Sequence, residues 1–345
     1  MQNGGCRNDG VLTGGELLDG SGALNRSGYA FSQVMAYDRA AIKGKKLRIK
    51  EWDYYCFGDD KFAVALTVAD NSYMSLASVS LLDFTHLRYV TKSKIGLFPM
   101  GKLHMPSSLD GGSVEFCKGG VKMRFAMENG VRKLTCEFRN FYKKHNFSCE
   151  IELAPSDGDN ITVAIPFEKR KQFYYNTKVN CLDGVGWFRL GDEKHEFKNG
   201  SGVLDWGRGV WPYKNTWYWA SLSGTVNGAP FGLNLGYGFG KPRASENVIF
   251  YDGKAHKLNN VRFDIPFTRN RLDFLKPWKI RDDEGRLDIT LFPMIDRKDG
   301  MRLLWLSTDQ HQVFGKFYGK ATLDDGTIID ISEQIGFAER VRNCW

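Results

Sequence analysis

The feature that most constrains this chain is a two-residue alternation of apolar and polar side chains, interrupted repeatedly by turn residues. Val121-Lys122-Met123-Arg124-Phe125 alternates apolar with charged, and Cys149-Glu150-Ile151-Glu152-Leu153 does the same. A period of two sends successive side chains to opposite faces of a strand, so each run can bury one face and wet the other. Glu128-Asn129-Gly130 separates two such runs, and Asn-Gly supplies the positive φ angles of a tight hairpin. Further turn signals stand at Gly58-Asp59-Asp60, Lys118-Gly119-Gly120, Asn227-Gly228, Asp252-Gly253 and Asp325-Gly326. Strands joined by tight turns form an antiparallel meander, and a long meander loses its exposed edges by curling into a barrel. Helical spacing is scarce. Its best window is residues 31–42, where Phe31, Val34, Met35 and Ala41 would share one face.

A chain of 345 residues exceeds one ordinary core; at roughly 100–200 residues per domain it suits two. A weak internal repeat supports that number. Trp52-Asp53-Tyr54-Tyr55 is followed by a turn and then Phe62-Ala63-Val64-Ala65-Leu66. The pattern returns in the second half of the chain as Trp217-Tyr218-Trp219-Ala220, a turn, and Phe231-Gly232-Leu233-Asn234-Leu235. Tandem copies of one β unit are the simplest account. The expected division is a flexible, Gly- and Asn-rich N-terminus over residues 1–20, a first β domain over 21–178 and a second over 179–345, with the boundary within 172–184.

Charge and cysteines narrow the partners. The net charge is +8, but the basic residues are spread among nearly as many acids, which argues against nucleic acid as a partner. The densest run, Lys43, Lys45, Lys46, Arg48 and Lys50, suits a solvated face or peripheral contact with an anionic membrane. No apolar run approaches the roughly 18 residues of a membrane helix, and residues 1–22 contain no apolar signal core. Cys6, Cys56, Cys117, Cys136, Cys149, Cys181 and Cys344 are odd in number and form no CxxC pair. That usage points to reduced thiols and a cytoplasmic protein. Oligomeric state is not legible.

The richest segment runs from Asp205-Trp206-Gly207-Arg208-Gly209-Val210-Trp211 to Trp217-Tyr218-Trp219, and it brings four tryptophans together with one carboxylate and one guanidinium. A carboxylate among indoles loses solvation, which raises its pKa and suits a general acid; arginine can stack on an indole face. Asp205 and Arg208 are therefore the candidate catalytic residues. Trp206, Trp211, Trp217, Trp219 and Tyr237 are the candidate walls of a cavity. The competing reading is an aromatic plug with Asp205 and Arg208 as a buried pair. A second cluster holds Trp52, Asp53 and Tyr54, with Asp70 and Tyr73 beyond the next strand; there Asp53 and Asp70 could face each other. Trp52, Tyr54, Asp70 and Tyr73 join the candidate ligand contacts, with His104 in Gly101-Lys102-Leu103-His104-Met105-Pro106. His86, His145, His195, His256 and His311 show no metal-ligand spacing, so no metal site is expected. No Walker loop or convincing dinucleotide fingerprint occurs, so no cofactor is expected.

The segments Lys50-Glu51-Trp52-Asp53-Tyr54-Tyr55, Ala69-Asp70-Asn71-Ser72-Tyr73, Asp205-Trp206-Gly207-Arg208-Gly209-Val210-Trp211-Pro212, Trp217-Tyr218-Trp219-Ala220-Ser221 and Gly336-Phe337-Ala338-Glu339-Arg340-Val341-Arg342-Asn343, in that order, resemble a bacterial family known as domain of unknown function 2804. More distantly, the stretch from Trp206 to Trp219 is similar to the tryptophan-glycine motif of tocopherol cyclases, which group with carotenoid hydratases in a double-lipocalin superfamily. The fold expected is thus all-β, with two tandem lipocalin-like antiparallel barrels or half-barrels and little helix. The distant resemblance implies cofactor-free hydration, protonation or cyclisation of a hydrophobic small molecule such as a prenyl, polyene or fatty-acyl compound. A non-catalytic carrier of a lipid-like ligand, or a structural protein with filled barrels, would carry the same aromatic residues. Far-ultraviolet circular dichroism should be strand-dominated, with helix below about a fifth of residues against a general share of about a third; a helix-rich spectrum would overturn the architecture.

Overall fold

The computed structural model describes residues 10–154, 157–240, 245–303 and 306–345. It is nearly all strand, and its helical content among the described residues is two three-residue 3-10 turns, Arg39–Ala41 and Lys46–Arg48. The window 31–42 is therefore not a helix: it holds the short strand Met35–Ala36 and the first of these turns. Met35, Tyr37 and Ile42 reach the core from an extended segment instead.

Two lipocalin-like sheets are built in tandem, each a meander whose last long strand returns to pair with its first. In the first sheet the ladder runs outward from Ile49–Gly58 through Phe62–Asp70 and Met74–Asp83 to the edge strand Arg88–Leu97. On its other side Ile49–Gly58 pairs with Glu193–Val210, which pairs with Phe173–Leu190 and so on to Ser113–Lys118. In the second sheet Lys214–Val226 pairs on one side with Ala229–Tyr237 and on the other with the closing strand Ile328–Cys344. That sheet has the edge strands Lys254–Lys257 and Val261–Asp264, which are joined by three residues only, so the sheet must curl to bring them together. The hairpin expected at Asn129-Gly130 joins Val121–Glu128 to Val131–Tyr142, with φ of 53° and 80° at its two turn residues.

The chain crosses from one sheet to the other at Trp211-Pro212-Tyr213, not within 172–184. Residues 172–184 lie instead largely inside the continuous strand Phe173–Leu190. This strand and its hairpin partner Glu193–Val210 are 18 residues each, well beyond the usual length of about 3–10, which disguises them as part of the next unit. Residues 10–20 are also packed rather than loose, with Leu12, Leu17 and Leu18 buried in the first core; residues 1–9 lie outside the described residues.

Alternation gives each sheet two buried faces. The concave face of the first sheet holds one core around Tyr55, Phe57, Leu66, Phe125 and Trp206. That of the second holds another around Leu222, Leu233, Trp278 and Phe317. The opposite faces meet each other in a third core that contains Tyr54, Tyr174, Trp211, Trp219, Phe239, Phe314 and Phe337. The repeat is thereby explained: Tyr54 and Trp219 occupy corresponding positions in the two hairpins, and their rings meet across the seam at 6.0 Å.

One end of the first concave core is closed by charge. Arg208 is fully buried there, 2.9 Å from Asp53 Oδ1. It also donates to the carbonyls of Trp52 and Pro106, at 2.7 Å each, and its guanidinium lies 4.0 Å over the Trp206 ring. Removing one member of such a pair leaves an uncompensated buried charge, whereas replacing both need not. Arg208→Met should lower stability by about 3–5 kcal/mol, and Arg208→Met with Asp53→Leu should recover part of the loss in urea unfolding. Additive losses would show that the pair is not coupled.

Candidate functional site

Strand alternation sorts the residues of the Trp-rich segment onto opposite faces. Asp205 points into the seam, whereas Trp206 and Arg208 lie on the concave side. The pairing of Asp205 with Arg208 suggested by their spacing does not form: residues three apart on a strand face opposite ways, and each finds a different partner. Asp53 and Asp70 do not face each other either. Asp53 stands opposite Val68, and Asp70 stands opposite Glu51. Asp70 accepts the backbone N–H groups of Ser72 and Gly101 at 2.9 and 2.8 Å. Glu51 accepts the Tyr37 hydroxyl at 2.7 Å and pairs with Arg39. This is a closed polar network inside the first half-barrel.

A cavity of about 350 Å³ opens along the seam between the sheets. Its aromatic walls include Trp52, Tyr54, Tyr73, Trp211, Trp217 and Trp219, all expected from the sequence, together with Tyr174, Phe239 and Trp345. Gly207 makes room for one of them, since a Cβ there would fall 2.1 Å from Trp52 Cζ2. Tyr237 is absent from these walls; it stacks on Tyr218 at 4.7 Å toward the second concave core. His104 is exposed, in a turn with φ of 49°, and takes no part in the cavity. Trp206 packs edge-on against Tyr37 and Tyr175 inside the first half-barrel. Wider clefts of about 870 and 980 Å³ lie elsewhere, but neither joins tryptophan walls to buried carboxylates.

Three acidic side chains line the cavity; Asp299 is exposed, and the other two are buried. Asp205 is held by Lys178 Nζ at 2.8 Å and by Asn176 Nδ2 at 2.6 Å, and Lys178 Nζ sits 4.0 Å over the Trp219 ring. The second is Glu339, which sequence reasoning missed. Its Oε1 accepts the Trp217 indole N–H at 2.9 Å, and its Oε2 accepts the Gln312 and Gln310 amides at 3.1 and 3.4 Å. Burial pushes Glu339 up to about 7, and the neighbouring Asp205 adds to the rise. The Trp217 bond and the charges of Arg297 and Lys178 pull against it.

The two acids occupy corresponding places in the two halves. Asp205 lies opposite Tyr54 on one side and Lys178 on the other; Glu339 lies opposite Trp219 and Gln312. The signal that could have found Glu339 is therefore the repeat itself, carried one strand beyond the matching hairpins. Lys50, grouped by the sequence with the solvated basic run, does not lie on that face, because strand alternation turns it inward. It is fully buried beside the cavity wall, with Nζ 3.2 Å from the Asn71 carbonyl and 3.9 Å over the Tyr73 ring. Burial lowers its amine to about 6, assisted by the nearby Arg48. The indole N–H groups of Trp211 and Trp345, both in the walls, are buried with no acceptor among the described residues.

Comparison with known proteins follows the architecture. An AttH-type protein from Nitrosomonas europaea has a crystal structure that matches with a TM-score of 0.54 at 13% identity, over 90% of this chain and 98% of that one. Kievitone hydratase from Nectria haematococca gives 0.48 at 11% identity, over 86% and 88%, and CghA with Sch210972 gives 0.44 at 10%, over 96% and 97%. The likeness to the AttH-type protein is one of fold. No curated protein matches the sequence significantly. The model of one family, described as a domain of unknown function (DUF2804), matches residues 9–345, and the chain belongs to that family.

Proposed function

We propose that the protein is a cofactor-free lyase or isomerase that protonates a hydrophobic small molecule in the seam cavity. The observation that carries this reading is the pair of buried carboxylates at corresponding positions, one ion-paired and one held up to about 7, within aromatic walls. A volume of about 350 Å³ lies at the small end of the roughly 300–1,000 Å³ typical of ligand sites. An acid with a pKa near the working pH is both protonated often enough and strong enough to transfer its proton.

In this reading Glu339 is the acid. Its O–H bond breaks as a C–H bond forms at one end of a substrate double bond, and the adjacent carbon becomes cationic. The faces of Trp217, Trp219 and Tyr54 stabilise that cation. Asp205, ion-paired with Lys178, accepts the proton released when water adds to the cation, or when a neighbouring carbon gives one up to close a ring or shift the double bond. Net proton balance is restored by transfer from Asp205 back to Glu339 through solvent. The indole N–H groups of Trp211 and Trp345 offer hydrogen bonds to an oxygen on the substrate. A carrier that binds the same ligand without turning it over is the second reading. It is supported by the full set of hydrogen bonds already made to Glu339.

Native mass spectrometry of protein from its own host should release a prenyl, polyene or fatty-acyl ligand, whose conversion can then be followed. Under the catalytic reading, Glu339→Gln lowers kcat by about 10²–10⁴-fold with the melting temperature held or raised. Asp205→Asn lowers kcat while leaving ligand affinity nearly intact. Unchanged turnover in both variants would sink the assignment, and tight binding without turnover in the unmodified protein would favour the carrier.

The pH dependence has a defined sign. Activity of the acid form should fall as pH rises through about 7. Stability should fall too: because the folded protein holds this proton more tightly than the unfolded chain, ionisation penalises the fold progressively between the ordinary value of 4.5 and about 7. Glu339→Gln should flatten that decline in urea midpoints measured across the window, and an unaltered slope would place the titrating group elsewhere.

A further inference from the structure

The basic run that precedes the strand Ile49–Gly58 takes no part in the seam chemistry, yet the fold gathers it with distant cations. Lys43, Lys45 and Arg48 share one cleft of about 980 Å³ with Lys169 and Lys171, from the turn before Phe173–Leu190, and with Lys214, which opens the second sheet. Glu168 is the sole acidic side chain among the described residues lining it. Among the described residues no Asp or Glu side chain pairs with any of the six cations; Lys43 donates to the Gly20 carbonyl, and Arg48 to that of Trp345. Six cations gathered with one acidic side chain repel one another, and an external anion relieves that repulsion.

The form of the cleft decides which anion. All five lysines are exposed, on long flexible stems, so they present a charged patch rather than the converging, buried donors that hold a single free phosphate. Two large side chains with exposed apolar surface accompany them: Tyr213, in the cleft wall, is 39% exposed, and Leu47, next to Arg48 in the chain though outside the cleft lining, is 50% exposed. Basic residues interspersed with exposed apolar ones match the headgroup layer of an anionic bilayer, where the cations meet lipid phosphates and the apolar groups leave water.

The cleft also backs onto the seam cavity. Trp345 lines the cavity, its backbone N–H donates to the Tyr213 carbonyl at 2.9 Å, and its main-chain oxygen accepts from Arg48. Trp211 and Phe239 line the cavity, while their chain neighbours Pro212, Gly238 and Gly240 line the cleft. We propose that this basic cleft docks the protein on an anionic lipid surface and holds the aromatic cavity beside the layer in which an apolar substrate partitions. The docking surface stands on its own observations and does not require the cavity to be catalytic.

The test is sedimentation of the full chain with vesicles of phosphatidylcholine alone or with phosphatidylglycerol added. The expected result is binding to the phosphatidylglycerol vesicles only, released by high salt as screening shortens the reach of the charges. Lys45→Glu with Lys169→Glu and Lys171→Glu should weaken partition by about tenfold or more, and Leu47→Asp should weaken it less. The triple Lys→Gln variant serves in place of the Lys→Glu one if circular dichroism shows the latter misfolded. A control of equal charge change, Lys122→Glu with Lys198→Glu and Lys320→Glu on other exposed surfaces, should bind as the unmodified protein does. Absence of binding to the anionic vesicles, or equal loss in the control, overturns the proposal. So does calorimetric binding of inorganic diphosphate that depends on the same lysines without any binding to vesicles.

Discussion

A curled sheet has two faces, and a lone half-barrel would leave one of them to water. Here the two halves bury that face against each other, and the rest of the molecule depends on the contact. Trp211 sits at its centre. Its ring centroid is 5.6 Å from that of Trp52, 5.3 Å from Tyr174, 5.6 Å from Trp217 and 6.0 Å from Trp345. Aromatic pairs of this kind add about 0.5–1.5 kcal/mol each beyond the area they bury. They are also rigid and bulky, and rings meeting at steep angles do not tile a seam completely. A gap lined with ring faces remains, and its walls desolvate Glu339 enough to push it up to about 7.

Burial of charge follows the same geometry. Each long strand delivers alternate residues to a half-barrel interior and to the seam, so the polar groups of one sequence motif are divided between two environments. Arg208 goes inward and meets Asp53, the carbonyls of Trp52 and Pro106 and the Trp206 face, which leaves it no capacity for chemistry. Asp205 goes outward and meets Lys178. A buried ion is tolerated where its partner and hydrogen bonds are already in place, and both of these are.

Much of the fold was legible in the sequence because its signals are local. Alternation, the Asn129-Gly130 turn and the repeated aromatic hairpins each act over a short span of chain, and each appears in the structure at its place. The seam residues Trp52, Tyr54, Trp211, Trp217, Trp219 and Asp205 were legible for the same reason. What was not legible is register. Whether Asp70 meets Asp53 or Glu51 depends on the offset that the turn sets, and the partner of Asp205 lies on a different strand, Phe173–Leu190. Tyr237 was misplaced because alternation tells which side chains share a face but not which face meets the other sheet. The division between units was misjudged because strands of 18 residues belong wholly to the first sheet while also furnishing the seam.

The two halves share a scaffold, and the neighbours of their carboxylates make them chemically different. In the first half the carboxylate position faces Lys178, and in the second the corresponding neighbour is Gln312. The Lys178 ammonium stands 2.8 Å from Asp205. An amide offers only a dipole, and burial pushes Glu339 up to about 7. Packing the two halves face to face brings a carboxylate paired with an ammonium and a carboxylate bonded to amides and an indole to the walls of a single aromatic cavity.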